Sequence, residues 1–164
     1  MTTPAGVTLR PATVDDAGTG ARLHRDCWQE TYGPITDPDL LAACRADEAR
    51  WAERWRQQLE HGPTRLLAVT GGELVGFGVA GPVRLDEVAV DHELYAIYVR
   101  SAWHGTGLGA ALLDAVLGEA SAYLWVLEDN ARARAFYARH GFRPDGVRTR
   151  YEPLGAWELR MVRP

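Results

Sequence analysis

The stretch Leu94 to Leu113, LYAIYVRSAWHGTGLGAALL, constrains this chain more than any other. LYAIYV is apolar at nearly every position and rich in β-branched and aromatic side chains, the pattern of a central strand buried on both faces. Gly105-Thr106-Gly107-Leu108-Gly109 follows, and AALLDAVL then carries the apolar stripe of a helix. Glycines at a strand-to-helix turn let backbone N–H groups approach a ligand closely. The new helix adds its positive N-terminal end, which suits phosphate. The turn is therefore expected to hold a phosphorylated ligand. A glycine turn with no ligand is the plain alternative, but three glycines in five residues exceed what a simple turn needs.

Composition narrows the classes. At 164 residues the chain reads as one domain with a proper core. No apolar run approaches the ~18 residues that span a membrane. The start, MTTPAGVTLRP, lacks a charged-then-apolar signal pattern, so a cytoplasmic protein is expected. Cys27 and Cys44 suggest neither a disulfide scaffold nor metal-ligand spacing. The net charge of -4 argues against a nucleic-acid partner. All 18 basic residues are Arg, which reads as GC-rich, bacterial coding bias.

In order, Val7 to Ala12 reads as a strand ended by Pro11. Thr13 to Asp16 starts a helix that runs to about Tyr32, before Gly33-Pro34. Asp37-Pro38 opens a second helix, in which Trp51, Trp55 and Leu59 form a core-facing stripe, and His61-Gly62-Pro63 ends it. Arg65–Thr70 and Glu73–Ala80 flank Gly71-Gly72 as a β-hairpin. After the glycine turn a helix runs to about Ala120, and Tyr123–Leu127 is a strand. Asn130 to His140 is a helix closed by Gly141. Two extended segments follow, near Gly146–Glu152 and Ala156–Val162. This order gives a mixed sheet with helices on both faces.

Three phosphate motifs compete for the glycine turn. The P-loop fails, because no Gly-Lys-Ser/Thr exists. Gly105, Gly107 and Ala110 fit the dinucleotide fingerprint, with Glu128 about 20 residues on. That fold needs several further βα units, whereas only one helix and two extended segments follow Glu128. The third motif belongs to coenzyme A. Tyr98–Gly109, YVRSAWHGTGLG, resembles motif A of the GNAT superfamily of acyl-CoA-dependent N-acetyltransferases, V-x-P-x-x-R/Q-G-x-G-x-G/A. Asn130–Phe142, NARARAFYARHGF, resembles the second family signature, N-x-x-A-x-x-F-Y-x-x-x-G-F. The pair occurs in the family's order and spacing. Ser101 replaces a common Pro, and His104 stands where Arg or Gln usually begins the phosphate loop.

The resemblance implies an α/β (α+β) fold with a mixed, mostly antiparallel central sheet, covering residues 1–164 as a single domain. It implies acetyl-CoA as co-substrate, with no metal. Ile97, Tyr98 and Val99 would present the central strand to the pantetheine arm. His104, Gly105, Thr106, Gly107, Leu108, Gly109 and Ala110 would hold the pyrophosphate. Asn130 and Ala133 would flank the arm, Asn130 also serving as a helix cap.

Acetyl transfer to an amine requires a proton to leave the ammonium, charge to be stabilised on the carbonyl, and the thiolate to depart. By resemblance the base is Glu93 and the acid Tyr137. Strand alternation would place Glu93, Tyr95, Ile97 and Val99 on one face. Neither cysteine lies beside an activating His, so no acyl-enzyme is expected. The acceptor, a small-molecule or peptide amine, would lie over Trp28 and Tyr32, near Glu93 and the acids Asp86, Glu87 and Asp91, which would attract a cation. Another acyl donor, a protein N-terminal α-amine, a catalytically silent acyl-CoA-binding domain and a homodimer all stay open at this point.

Overall fold

In the computed structural model, residues 2–164 are described, and the chain opens on a strand clamped to the first helix. Arg10 of β1 (Thr8–Pro11) grips the Asp16 carboxylate with two hydrogen bonds of 2.8 and 2.7 Å. Asp16 also accepts the Thr13 N–H at 2.8 Å, which fixes the entry into α1 (Ala17–Tyr32). The single helix expected after Asp37-Pro38 is two. Asp37 caps α2 (Pro38–Arg45) through the N–H groups of Asp39 and Leu40. The Asp47 side chain then accepts from Arg50 N–H and starts α3 (Glu48–His61). The Trp stripe hides this break, because it begins after the new cap.

Gly71 and Gly72, at φ 55° and 84°, turn β2 (Leu66–Thr70) into β3 (Glu73–Gly81) as the sequence predicts. Then follow β4 (His92–Val99), α4 (Leu108–Leu117), β5 (Ala122–Leu127), α5 (Ala131–Arg139), β6 (Arg143–Tyr151) and β7 (Ala156–Arg163). The seven strands form one sheet in the order β1-β2-β3-β4-β5-β7-β6. Every neighbouring pair is antiparallel except β4 and β5. That parallel pair meets only at His92–Ala122 and Glu93–Tyr123, and the strands then diverge. β4 is therefore not buried on both faces as expected: Glu93 and Leu94 are buried, and the residues from Tyr95 onward are half-buried along the opening.

Helices α1 and α3 cover one face of the sheet, over Trp28, Trp55, Leu67 and Phe77. On the other face the core holds Leu94, Leu113, Leu124, Phe142 and Met161, with Leu108 and Leu112 of α4 against Ala68 and Val75. Trp55 is fully buried and lies on the backbone of Gly20, where an added Cβ would sit 2.2 Å from the indole. Gly20→Ala is expected to lower stability by about 1–3 kcal/mol through overpacking, despite the better helix propensity of Ala. The urea midpoint, at unchanged m, is the measurement.

Strand β4 carries a bulge. Leu94 lies opposite Ala80 and Ala96 opposite Val79, so Tyr95 has no partner on β3. The extra residue inverts the alternation. Leu94 and Ile97 pack toward the second core, whereas Tyr95, Ala96 and Tyr98 pack toward α1 and α3. The expectation that Glu93, Tyr95, Ile97 and Val99 share a face is therefore corrected.

Candidate active site

The divergence of β4 and β5 opens a cleft of about 950 Å³, at the upper end for small-molecule sites. At its mouth is the glycine turn. Gly105 and Gly107 have φ of 78° and 91°, the left-handed region open to glycine, and a Cβ at either would point into empty space. Gly107 precedes α4 without any side-chain cap, so the first-turn N–H groups of that helix are left for a ligand. Glu30 of α1 holds the loop before the turn, accepting from Ser101 N–H at 2.6 Å and Arg100 Nε at 2.9 Å. Arg132 lines the cleft, exposed and without an ion pair among the described residues.

Most of the expected contact residues converge here. Ile97, Tyr98, Val99, His104, Gly105, Gly107, Gly109, Ala110, Asn130, Ala133 and Tyr137 line the cleft, with Trp28 and Tyr32. Two do not. The Leu108 side chain is fully buried in the core, and Thr106 Oγ1 turns back to donate to the Trp103 carbonyl at 2.8 Å. His104 Nε2 lies 2.9 Å from the Val99 carbonyl, so the ring is engaged by the protein. Burial, then the nearby Arg132, lowers its pKa, which favours neutral imidazole with Nε2 donating. His104 lines the cleft beside the glycine turn, where it is expected to meet the phosphates.

Asn130 Oδ1 accepts the Ala133 N–H at 3.1 Å and caps α5, while its amide NH₂, on the cleft wall, has no partner among the described residues. Tyr137 is packed edge-on against Phe136 and Phe142, at 5.2 and 5.8 Å between ring centres. Its hydroxyl makes no hydrogen bond among the described residues, and burial raises its pKa. A tyrosine held neutral with a free O–H is a proton donor in waiting. Across the cleft, Tyr98 Oη accepts from Trp28 Nε1 at 3.1 Å and lies 2.7 Å from Tyr32 Oη. Burial pushes the Tyr32 hydroxyl up to about 12.

Glu93 sits elsewhere. It is 2 % exposed and is not among the residues lining the cleft. Arg84 binds its carboxylate in a bidentate fork, with Nε at 2.9 Å, and the Tyr123 hydroxyl donates to it as well. A carboxylate so occupied has few lone pairs left for a substrate proton. The carboxylate that does face the cleft is Glu158 of β7. Glu158 is half-buried, makes no hydrogen bond or ion pair among the described residues, and has its pKa raised by desolvation. Tyr32 feels its charge, and Tyr137 in turn feels Tyr32. Sequence reading missed Glu158, since WEL in an alternating strand carries no local mark. The acids Asp86, Glu87 and Asp91 do not line the cleft. Glu87 pairs with Arg160 at 3.3 Å, and Asp91 accepts from Ser121 Oγ at 2.7 Å.

Comparison with known proteins agrees with the geometry. The profile of the acetyltransferase (GNAT) family matches residues 21–142. YuaI of Bacillus subtilis, described as an uncharacterized N-acetyltransferase, is 31% identical, covering 96% of this chain and 96% of its own. A probable N-acetyltransferase of Mycobacterium tuberculosis is 29% identical, over 92% of this chain and 88% of its own. The crystal structure of the PaiA N-acetyltransferase of Thermoplasma acidophilum, in complex with coenzyme A, superimposes with a TM-score of 0.68 at 17% identity, covering 94% of this chain and 97% of that one. A GCN5-related N-acetyltransferase structure from Rhodopseudomonas palustris gives 0.70 at 22% identity, covering 99% and 96%. The chain belongs to the GNAT acetyltransferase family. No helix among the described residues is long and apolar enough to cross a membrane.

Proposed function

We propose that this protein transfers an acetyl group from acetyl-CoA directly to a primary amine, with Glu158 as general base and Tyr137 as general acid. The observation that carries the reading is the split between β4 and β5, opening onto an uncapped glycine turn with the free Tyr137 hydroxyl inside it. The residues fit the coenzyme. The turn at Gly105 and Gly107, the first turn of α4 and Arg132 would take the phosphates. The diverging edge of β4 and the Asn130 amide would take the pantetheine amides.

Bound acetyl-CoA would supply the thioester carbonyl. The amine nitrogen bonds to that carbon and the carbon–sulfur bond breaks. The proton from the amine passes to Glu158, and the Tyr137 hydroxyl supplies the proton that completes the thiol. Both residues reset by exchange with solvent. Desolvation moves Glu158 toward working pH, where a carboxylate accepts a proton more readily. Glu93 is assigned a positioning role, joining Arg84 to Tyr123 where the two strands part.

Acetyl-CoA is expected to raise the melting temperature, by about 2.7 kcal/mol of mass action at a hundred times Kd, while NAD and ATP do not. No shift at millimolar acetyl-CoA removes the donor. A shift without thiol release across an amine panel leaves a silent acyl-CoA-binding domain. Tyr137→Phe keeps the ring packing and loses only the donor. Turnover is expected to fall roughly tenfold with acetyl-CoA affinity kept, since a thiolate leaves fairly well unaided. Full activity would make the hydroxyl structural.

A further inference from the structure

The acceptor end of the cleft has the opposite charge to the one the sequence implies. Its wall carries Arg54, Arg65 and Arg84, while Asp86 does not line it and Glu87 and Asp91 are engaged elsewhere. Arg84 is occupied by Glu93. Arg65 is 7 % exposed and meets no carboxylate among the described residues. Its guanidinium stacks 4.5 Å over Trp55 and 5.5 Å over Phe77, which covers its flat face. Nη2 donates to the Gln58 side chain, and Nη1 is buried with no hydrogen-bond partner among the described residues. Arg54, exposed at the rim, has no ion pair either, and its charge reaches His24 and Tyr151.

A buried guanidinium without an anion is costly. Aromatic rings satisfy its faces but not its in-plane N–H donors. Those donors form a fork that matches a carboxylate. Gln58, exposed at the rim, holds one of them with a neutral amide oxygen that an anion can displace. Resting on the acetyltransferase reading, we propose that the acceptor is an amine that also carries a carboxylate, bound by Arg65 with Arg54 at the entrance. Its amine end then lies toward Tyr32, Tyr98 and Glu158. Simple polycations are disfavoured by the same two arginines. Burial lowers the Arg65 pKa only to about 10, so the guanidinium remains charged at neutral pH.

The test compares amino acids with the amines formed by deleting their carboxylate: phenylalanine against phenethylamine, lysine against cadaverine. Thiol release by the full chain with acetyl-CoA is the readout. The carboxylated member is expected to be favoured by about a hundredfold or more in kcat/KM, as in sites built around a buried polar group. Arg65→Gln and Arg54→Gln should each raise KM for that member and leave its partner nearly unchanged. Arg54 is exposed, so its variant folds even if the Arg65 variant does not. Equal rates within pairs, or preference for the decarboxylated amine, would overturn the carboxylate proposal and leave acetyl transfer standing. If no amine releases thiol, acetyl transfer falls. Quenching of tryptophan fluorescence by N-acetylphenylalanine then decides: saturable quenching lost in Arg54→Gln supports the carboxylate site, and its absence overturns it.

Discussion

Glu158→Gln is expected to lose turnover by roughly 10²–10⁴-fold while the protein becomes more stable at neutral pH. The two effects have one origin. Desolvation raises the folded-state pKa of Glu158 above its unfolded value. A carboxyl with a raised folded pKa favours the fold while protonated. That contribution is full below the unfolded pKa and is lost as pH rises through the folded pKa. At pH 7 the ionised carboxylate therefore weighs against folding, and glutamine removes the burden. The wild-type kcat/KM should rise with pH through this pKa and level off. In the variant that limb should vanish, leaving a slower increase as free amine accumulates. A pH series of initial rates, with melting curves on the same samples, separates loss of a base from loss of structure. Unchanged turnover in Glu158→Gln, with a large loss in Glu93→Gln that leaves the melting temperature alone, would return the base to Glu93.

Gly107→Val should cut acetyl-CoA affinity by about a hundredfold, with the rest of the fold intact. Two penalties add. Gly107 has φ of 91°, where a β-branched residue is strained by about 1–3 kcal/mol. Its Cβ would also project into the open space before α4, where the phosphates are expected. The strain can relax by shifting the turn, which itself misaims the first-turn N–H groups. Titration calorimetry with coenzyme A measures the loss. Gly18→Val is the control, because Gly18 lies in α1 with nothing near its Cβ position. Tight binding by Gly107→Val would move the phosphates away from this turn.

Features encoded by neighbouring residues were legible. Gly71-Gly72 specifies its hairpin, Asn130 its cap, and the run from Gly105 to Gly109 its turn. The family signatures carried Tyr137 and the glycine turn to one cleft. What escaped depends on partners far along the chain. The bulge at Tyr95 exists only in register with β3, and it sends Ile97 to the other face from Tyr95. Arg84 lies in a loop, and nothing local says that it will close on Glu93. Glu158 became a candidate only once β7 was seen to pair with β5 beside the opening. The arginines of the acceptor end come from α3, the residue before β2 and a loop, so no single window shows them together.

The seam between β4 and β5 behaves as a lever. Its fulcrum is two residue pairs wide, at His92–Ala122 and Glu93–Tyr123, and from it the facing edges part for several residues at about 3.3 Å apiece, while β4 stays paired with β3 and β5 with β7. A change in the angle between the two halves of the sheet at this point is expected to show most at the far ends, where Val99 and Leu127 line the cleft. The cluster of Arg84, Glu93 and Tyr123 ties the loop before β4 to both strands at the point where they part, with Glu93 and Tyr123 behind the cleft wall. Substitutions there should alter the grip on the coenzyme and the acceptor together, and activity alone cannot tell such a fulcrum from a reacting group.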